Sequence, residues 1–168
     1  MVRLRSSGLL GRSTLMAFLA GVALITTAAV VLSAITSSHP PRQAKEFTLG
    51  RLGHPGARVA LSHYAGRPVI VNFFNSWCHA CRRETPVLAD FYRSHRGRVL
   101  VIGVDANDNN SWAVAFAREH GLDFPVAFDG SASVALSYGV IALPQTFFLN
   151  AKHQIVRHIF GGVVWRQS

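Results

Sequence analysis

Cysteine is scarce in this chain: 168 residues carry two, Cys78 and Cys81. A structural zinc site needs about four ligands, and these two sulfurs fall short of that even with His79 as a third donor; no second pair stands at finger-like spacing. Acidic residues are also few, 8 Asp and Glu against 17 Lys and Arg, for a net charge of +9. The basic residues are scattered along the chain, and the concentrated stripe that nucleic-acid binding requires is missing. What remains is a generally basic surface suited to anionic lipid or acidic partners. Long apolar runs are absent but for one, residues 15–35, and no cysteine follows that run, which excludes a lipoprotein anchor.

That run is uncharged and, at about 1.5 Å per residue, just long enough to cross a bilayer core of about 30 Å. Residues 1–13 before it carry Arg3, Arg5 and Arg12 and no acidic residue. Positive charge on that flank keeps it in the cytoplasm and puts everything after the run outside. The sequence therefore divides into a basic cytoplasmic N-terminus (1–13), a transmembrane anchor or signal (14–36), a linker (37–46) and a domain (47–168). A cleaved signal peptide is the competing reading, although its apolar core is usually shorter, about 7 to 15 residues. Either reading delivers the domain to an oxidising compartment on the extracytoplasmic side of the cell membrane.

The chemistry is concentrated between positions 69 and 86. Val69, Ile70, Val71, Phe73 and Phe74 read as a buried strand. A polar turn, Asn75-Ser76, leads through Trp77 to Cys78, His79, Ala80 and Cys81, and then a helical pattern sets in with Val87, Leu88, Phe91 and Tyr92. A strand feeding Cys-x-x-Cys at the start of a helix is how a redox-active dithiol is made. Unpaired N–H groups and the positive dipole end favour the Cys78 thiolate. Cys81, one turn on, can close the disulfide and resolve a mixed disulfide with substrate. Glu84 lies one further turn along the same face, where a carboxyl could act as acid or base on Cys81; it could equally be a surface group pairing with Arg82 or Arg83. A protonated His79 would favour the neighbouring thiolate, unless it points to solvent.

The stretch from Asn72 to Pro86 resembles the active-site segment of thioredoxin-like proteins, specifically the membrane-tethered TlpA/ResA/DsbE group, in which Trp-Cys-x-x-Cys is followed three residues later by Glu and five residues later by Pro. Glu84 and Pro86 stand at those offsets, and the resemblance extends from about residue 47 to about 162. It implies an α/β thioredoxin-like fold: a central mixed sheet flanked by helices, with an N-terminal hairpin and a helix-strand insertion. It also implies that Asn72 occupies the place of a buried Asp in ordinary thioredoxins, so that a titrating role there is vacant or passes to Glu84. In such proteins a proline before a late strand is cis and sits against the dithiol; that identifies Pro144, with Leu143 before it, as the edge that pairs with an extended substrate chain. A proline at a loop-to-strand junction is the plainer reading of the same residue.

The remaining sequence fits this frame. Residues 47–49 and 59–61 read as a hairpin, 99–104 as a strand parallel to the first, and 105–110 as a polar loop. Asn110 or Ser111 is the expected cap of a helix running to about His120. A strand near 124–128 and a helix over 131–138 follow, then strands at 146–149 and 154–160 joined by a turn. After Gly161-Gly162 only six residues remain, so the C-terminal helix usual in the group is short or missing. The expected activity is extracytoplasmic thiol-disulfide exchange, with Cys78 and Cys81 catalytic, Glu84 modulating, Trp77, Leu143 and Pro144 binding substrate, and His79 and Asn72 tuning. No cofactor and no metal are required. The resemblance implies protein substrates such as apocytochrome c and a membrane thiol-disulfide electron carrier, with no nucleic-acid partner. Alternatives stay open: an oxidase that installs disulfides, or a metal-binding or chaperone module using Cys78, His79 and Cys81. A peroxiredoxin-type peroxidase would want Thr-x-x-Cys where Asn75-Ser76-Trp77-Cys78 stands.

Overall fold

The structure, a computed structural model, describes residues 42–162. The segments assigned above to the cytoplasmic N-terminus and the anchor, and the last six residues, lie outside the described residues. Seven strands and three α-helices follow one another: β1 (Thr48–Arg51), β2 (Arg58–Ala60), a 3-10 turn (Leu61–Tyr64), β3 (Val69–Phe74), α1 (His79–Ser94), β4 (Leu100–Ala106), α2 (Asn110–Glu119), β5 (Val126–Asp129), α3 (Ser133–Ser137), β6 (Gln145–Leu149) and β7 (Ile155–Phe160). They make one mixed sheet in the order β2-β1-β5-β4-β3-β6-β7. β3 pairs parallel with β4 and antiparallel with β6, so the strand before the dithiol is central, and β5 joins the N-terminal hairpin to the rest.

Centrality explains the composition of β3. All six of its residues are buried, and their side chains alternate between two cores. Val69, Val71 and Phe73 pack with Phe47, Ile102, Val104, Tyr138 and Phe147 on one face. Ile70 and Phe74 pack with Cys81, Leu88, Val101, Phe116 and Phe124 on the other, under α1 and α2. Gly103 makes the second core possible: a Cβ there would stand 2.9 Å from the Phe74 ring and 3.0 Å from that of Phe124. Phe74, the last residue of β3, thus packs close over the neighbouring strand at Gly103 just before the chain turns to Cys78.

Three expected boundaries move. The polar loop expected at 105–110 begins only at Asn107, because β4 continues through Asp105 and Ala106 in register with Phe74 and, across the other edge, with Phe128 and Asp129. The α2 cap is Asn109, not Asn110 or Ser111: its Oδ1 accepts the Ser111 N–H at 2.9 Å. The helix expected over 131–138 is only Ser133–Ser137, because Asp129 reaches forward from β5, accepting Ala135 N–H at 2.9 Å and the Ser133 hydroxyl at 3.2 Å, and fixes where the turn starts. Among the described residues no helix is long and apolar enough to cross a membrane.

Candidate active site

Cys78 is the N-cap of α1, with extended backbone (φ −77°, ψ 112°), and its Sγ accepts the Cys81 N–H at 3.1 Å. The two sulfurs are joined in a disulfide. Their surroundings differ. Cys78 is partly exposed, whereas Cys81 is fully buried in the core beneath α1. A reagent from solution therefore meets Cys78 first, at the positive end of a 16-residue helix.

The loop that delivers Cys78 is tied at every residue to the end of β4. Asn75 Nδ2 donates to Ala106 O (3.2 Å), and Trp77 Nε1 donates to Asn107 O (3.1 Å). Between them the Asp108 carboxylate accepts the Ser76 N–H at 2.6 Å and the Ser76 hydroxyl at 3.0 Å, and also takes the Asn109 N–H at 2.7 Å. Behind this clamp lies Asp105, fully buried. Burial first, then the nearby Asp108 charge, push the Asp105 acid up to about 8. At neutral pH Asp105 keeps its proton, and the hydrogen bonds accepted by Asp108 hold the loop.

Opposite stands the loop before β6. β3 and β6 pair antiparallel with Phe73 against Gln145, so Pro144, one residue earlier, falls at the end of β3 where the chain turns toward Cys78. The Leu143–Pro144 bond is cis. The Pro144 carbonyl accepts the Gly161 N–H at 2.9 Å. Gln145, buried, donates from Nε2 to Ala142 O at 2.8 Å, which turns its Oε1 toward His158 Nε2, also at 2.8 Å. That ring nitrogen must then be the donor, which selects the Nε2–H tautomer. The imidazole lies parallel on Phe147 with centroids 3.9 Å apart, and burial, then the Arg42 charge, hold its pKa below the usual histidine value.

Between the two loops runs an apolar groove of about 530 Å³. Trp77, Cys78 and His79 form one wall, and Leu136, Ile141 and Leu143 the other. Of the residues singled out from sequence, Trp77, His79 and Leu143 therefore meet at the exposed sulfur. Asn72 and Glu84 do not line the groove. Both are buried, and Asn72 Nδ2 donates to Glu84 Oε1 at 3.3 Å and to Thr146 Oγ1 at 3.0 Å. The surface pairing of Glu84 with Arg82 or Arg83 is thus corrected: the face that carries Cys81 into the core carries Glu84 in with it. Among the described residues no group of three or more His, Cys, Asp and Glu gathers as a metal site.

Sequence reading passed over Asp105, Asp108, Gln145 and His158. The strand period running 101, 103, 105 onto the α1 side of the sheet was a usable signal for Asp105, and the Asn107-Asp108-Asn109 cluster was one for a turn that binds backbone N–H groups.

The AhpC/TSA family profile matches residues 40–159. The thiol-disulfide oxidoreductase ResA of Halalkalibacterium halodurans is 32% identical over 122 residues, covering 72% of this chain and 68% of that protein. ResA of Bacillus thuringiensis subsp. konkukian is 29% identical over 121 residues, covering 71% and 69%. Among solved structures, a DsbF homologue from Corynebacterium diphtheriae superimposes with a TM-score of 0.67 over 76% of this chain and 82% of that one, at 21% identity, a likeness of fold alone.

Proposed function

The chain belongs to the AhpC/TSA family and is a thiol-disulfide oxidoreductase of the ResA type with a thioredoxin-like fold, and from that premise we propose that it reduces disulfides of exported proteins on the outer side of the cytoplasmic membrane. The observation that carries the reading is the asymmetry of the dithiol: Cys78 open to the groove at a helix N-terminus, Cys81 buried behind it.

In the reduced enzyme the Cys78 thiolate attacks one sulfur of a substrate disulfide. A Cys78–substrate bond forms, the substrate disulfide breaks, and its second sulfur leaves as a thiolate that takes up a proton. Cys81, losing its proton, then attacks Cys78 Sγ and releases the first substrate sulfur. The substrate gains two electrons and two protons, and Cys78–Cys81 is oxidised. Glu84 is the proton acceptor proposed for Cys81, held by Asn72, which cannot titrate itself. A protonated His79 would favour the Cys78 thiolate. Trp77 and Leu143 frame the substrate chain along the groove, with Pro144, buried and outside the groove lining, next to Leu143. The uncharged run at 15–35 behind a basic flank supports a single anchor, and a membrane dithiol carrier returns the electrons. Apocytochrome c, whose haem-attachment cysteines must be reduced, is the substrate that the resemblance implies.

The test is trapping. Cys81→Ser incubated with a disulfide-bonded exported protein should accumulate a covalent adduct through Cys78 that dithiothreitol releases, and Cys78→Ser should accumulate none. Equal trapping by both variants would overturn the assignment of roles.

A further inference from the structure

Four large apolar side chains remain exposed around the dithiol: Trp77 (59% exposed), Trp112 (63%), Leu136 and Ile141. Leu136 and Ile141 belong to the groove already described, but Trp112 does not. It sits in the first turn of α2, and between it and Trp77 lies a separate depression of about 240 Å³. Ala115 and Phe116 floor this depression, Arg82 flanks it, and Glu119 lies at its far edge, two helical turns beyond Trp112. Trp77 walls both hollows and is held upright by its bond to Asn107 O. Two indoles left in water beside an arginine are the residue types that carry binding energy at protein interfaces.

We propose that this Trp77–Trp112 shelf is a second docking site for the substrate polypeptide, taking an aromatic side chain that neighbours a carboxylate a few residues from the target cysteine. The inference rests on the reading of Cys78–Cys81 as the centre of protein disulfide exchange. Because Trp77 divides shelf from groove, a chain crossing Cys78 lays one flank in each. Charge decides the acidic partner. Arg82 stands over the Phe116 ring at 5.7 Å, and among the described residues it has no carboxylate partner, the ion pairs there being Arg93–Asp90 and Arg96–Asp123. Arg83, next in sequence but not lining the shelf, donates to the His79 carbonyl at 3.4 Å. Against Arg82 the shelf lining offers Glu119, while the Asp108 carboxylate behind Ser76 is already engaged by three donors, so an aspartate flank is drawn to Arg82 where a lysine flank is repelled.

The test uses the full-length protein in detergent, with dithiothreitol as reductant. The probes are peptides whose single cysteine is held in a disulfide with glutathione, flanked within four residues by Trp-Asp or by Trp-Lys. Hydroxyethyl disulfide, too small to span both hollows, is the reference. The expected result is a wild-type preference for Trp-Asp of several-fold, abolished by Arg82→Gln. The Trp112→Ala change should lower the ratio of peptide kcat/KM to hydroxyethyl disulfide kcat/KM by about tenfold, through KM, with Trp112→Phe restoring most of it. An unchanged ratio in Trp112→Ala overturns the proposal. So does a Trp112→Ala effect confined to phosphatidylglycerol vesicle binding or to sedimentation mass, which would assign the shelf to lipid or to a second copy. Wild-type protein that turns over neither peptide nor hydroxyethyl disulfide would instead sink the disulfide-exchange reading itself.

Discussion

Replacing Asp105 by Asn should change how stability depends on pH, and the structure sets the size of the change. The carboxyl is fully buried at the end of β4, with its acid pushed up to about 8 by burial and by Asp108. In the unfolded chain the same group titrates near its ordinary value, about 3.9. Between those two values the folded state binds a proton that the unfolded state has released. Stability from this site is therefore fully present below about pH 4, is lost as pH rises, and stops falling above about 8. Inside the window the slope is about 1.4 kcal/mol per pH unit for one proton. The amide of the Asp105→Asn variant cannot titrate, so the wild-type protein should lose about 3 kcal/mol relative to that variant between pH 5 and 7. Urea unfolding of the two oxidised proteins at constant ionic strength, followed by tryptophan fluorescence, measures that difference directly. A gap that stays constant across those pH values, or that moves in favour of the wild type as pH rises, would refute the reasoning, because Asp105 would then be ionised in the fold.

Three other substitutions follow from the same geometry. Asp108→Ala removes the acceptor of three hydrogen bonds that hold Ser76 and Asn109; unfolding in urea should show a loss of about 2–4 kcal/mol, and the upper edge of the Asp105 window should drop below pH 8. Asn72→Asp places a second buried carboxyl where the Asn72 amide stands 3.3 Å from Glu84 Oε1; the pair raises its own pKa, so the variant should be destabilised by on the order of 1–3 kcal/mol at pH 7 and by less at pH 5, again in urea. His158→Leu leaves Gln145 Oε1 without its donor. Steady-state kinetics on a protein disulfide should then show KM raised several-fold with kcat held, at a stability cost of about 1–3 kcal/mol.

The segment from β3 through α1 was legible because its signals are local. Six consecutive buried residues make a central strand, and the cysteine spacing places both sulfurs at one helix start. The helical repeat also put Glu84 on the face of Cys81, but not which way that face turned. Its burial against Asn72 depends on how α1 lies on the sheet, a tertiary matter that spacing does not encode. Asp105 was misplaced into a loop for a related reason: aspartate is disfavoured in strands and reads as turn chemistry, and only pairing with β3 and β5 draws it inside. Gln145 and His158, 13 residues apart, meet across the β6–β7 hairpin, whose register shifts between Phe148 and Leu149. Trp112 reads like any aromatic on an amphipathic helix: it lies on the same face as Phe116, one turn on, yet Phe116 is in the core while Trp112, in the first turn, is exposed, which spacing alone does not show.

The central claim is that Cys78–Cys81 is a reducing dithiol. Its most direct test is the reduction potential of that pair, obtained by equilibrating the protein against glutathione redox buffers and quantifying the free thiols. A value near about −270 mV, that of a reductant like thioredoxin, is the predicted result. A value near about −120 mV, that of a strong periplasmic oxidant, would contradict it and reverse the direction of electron flow.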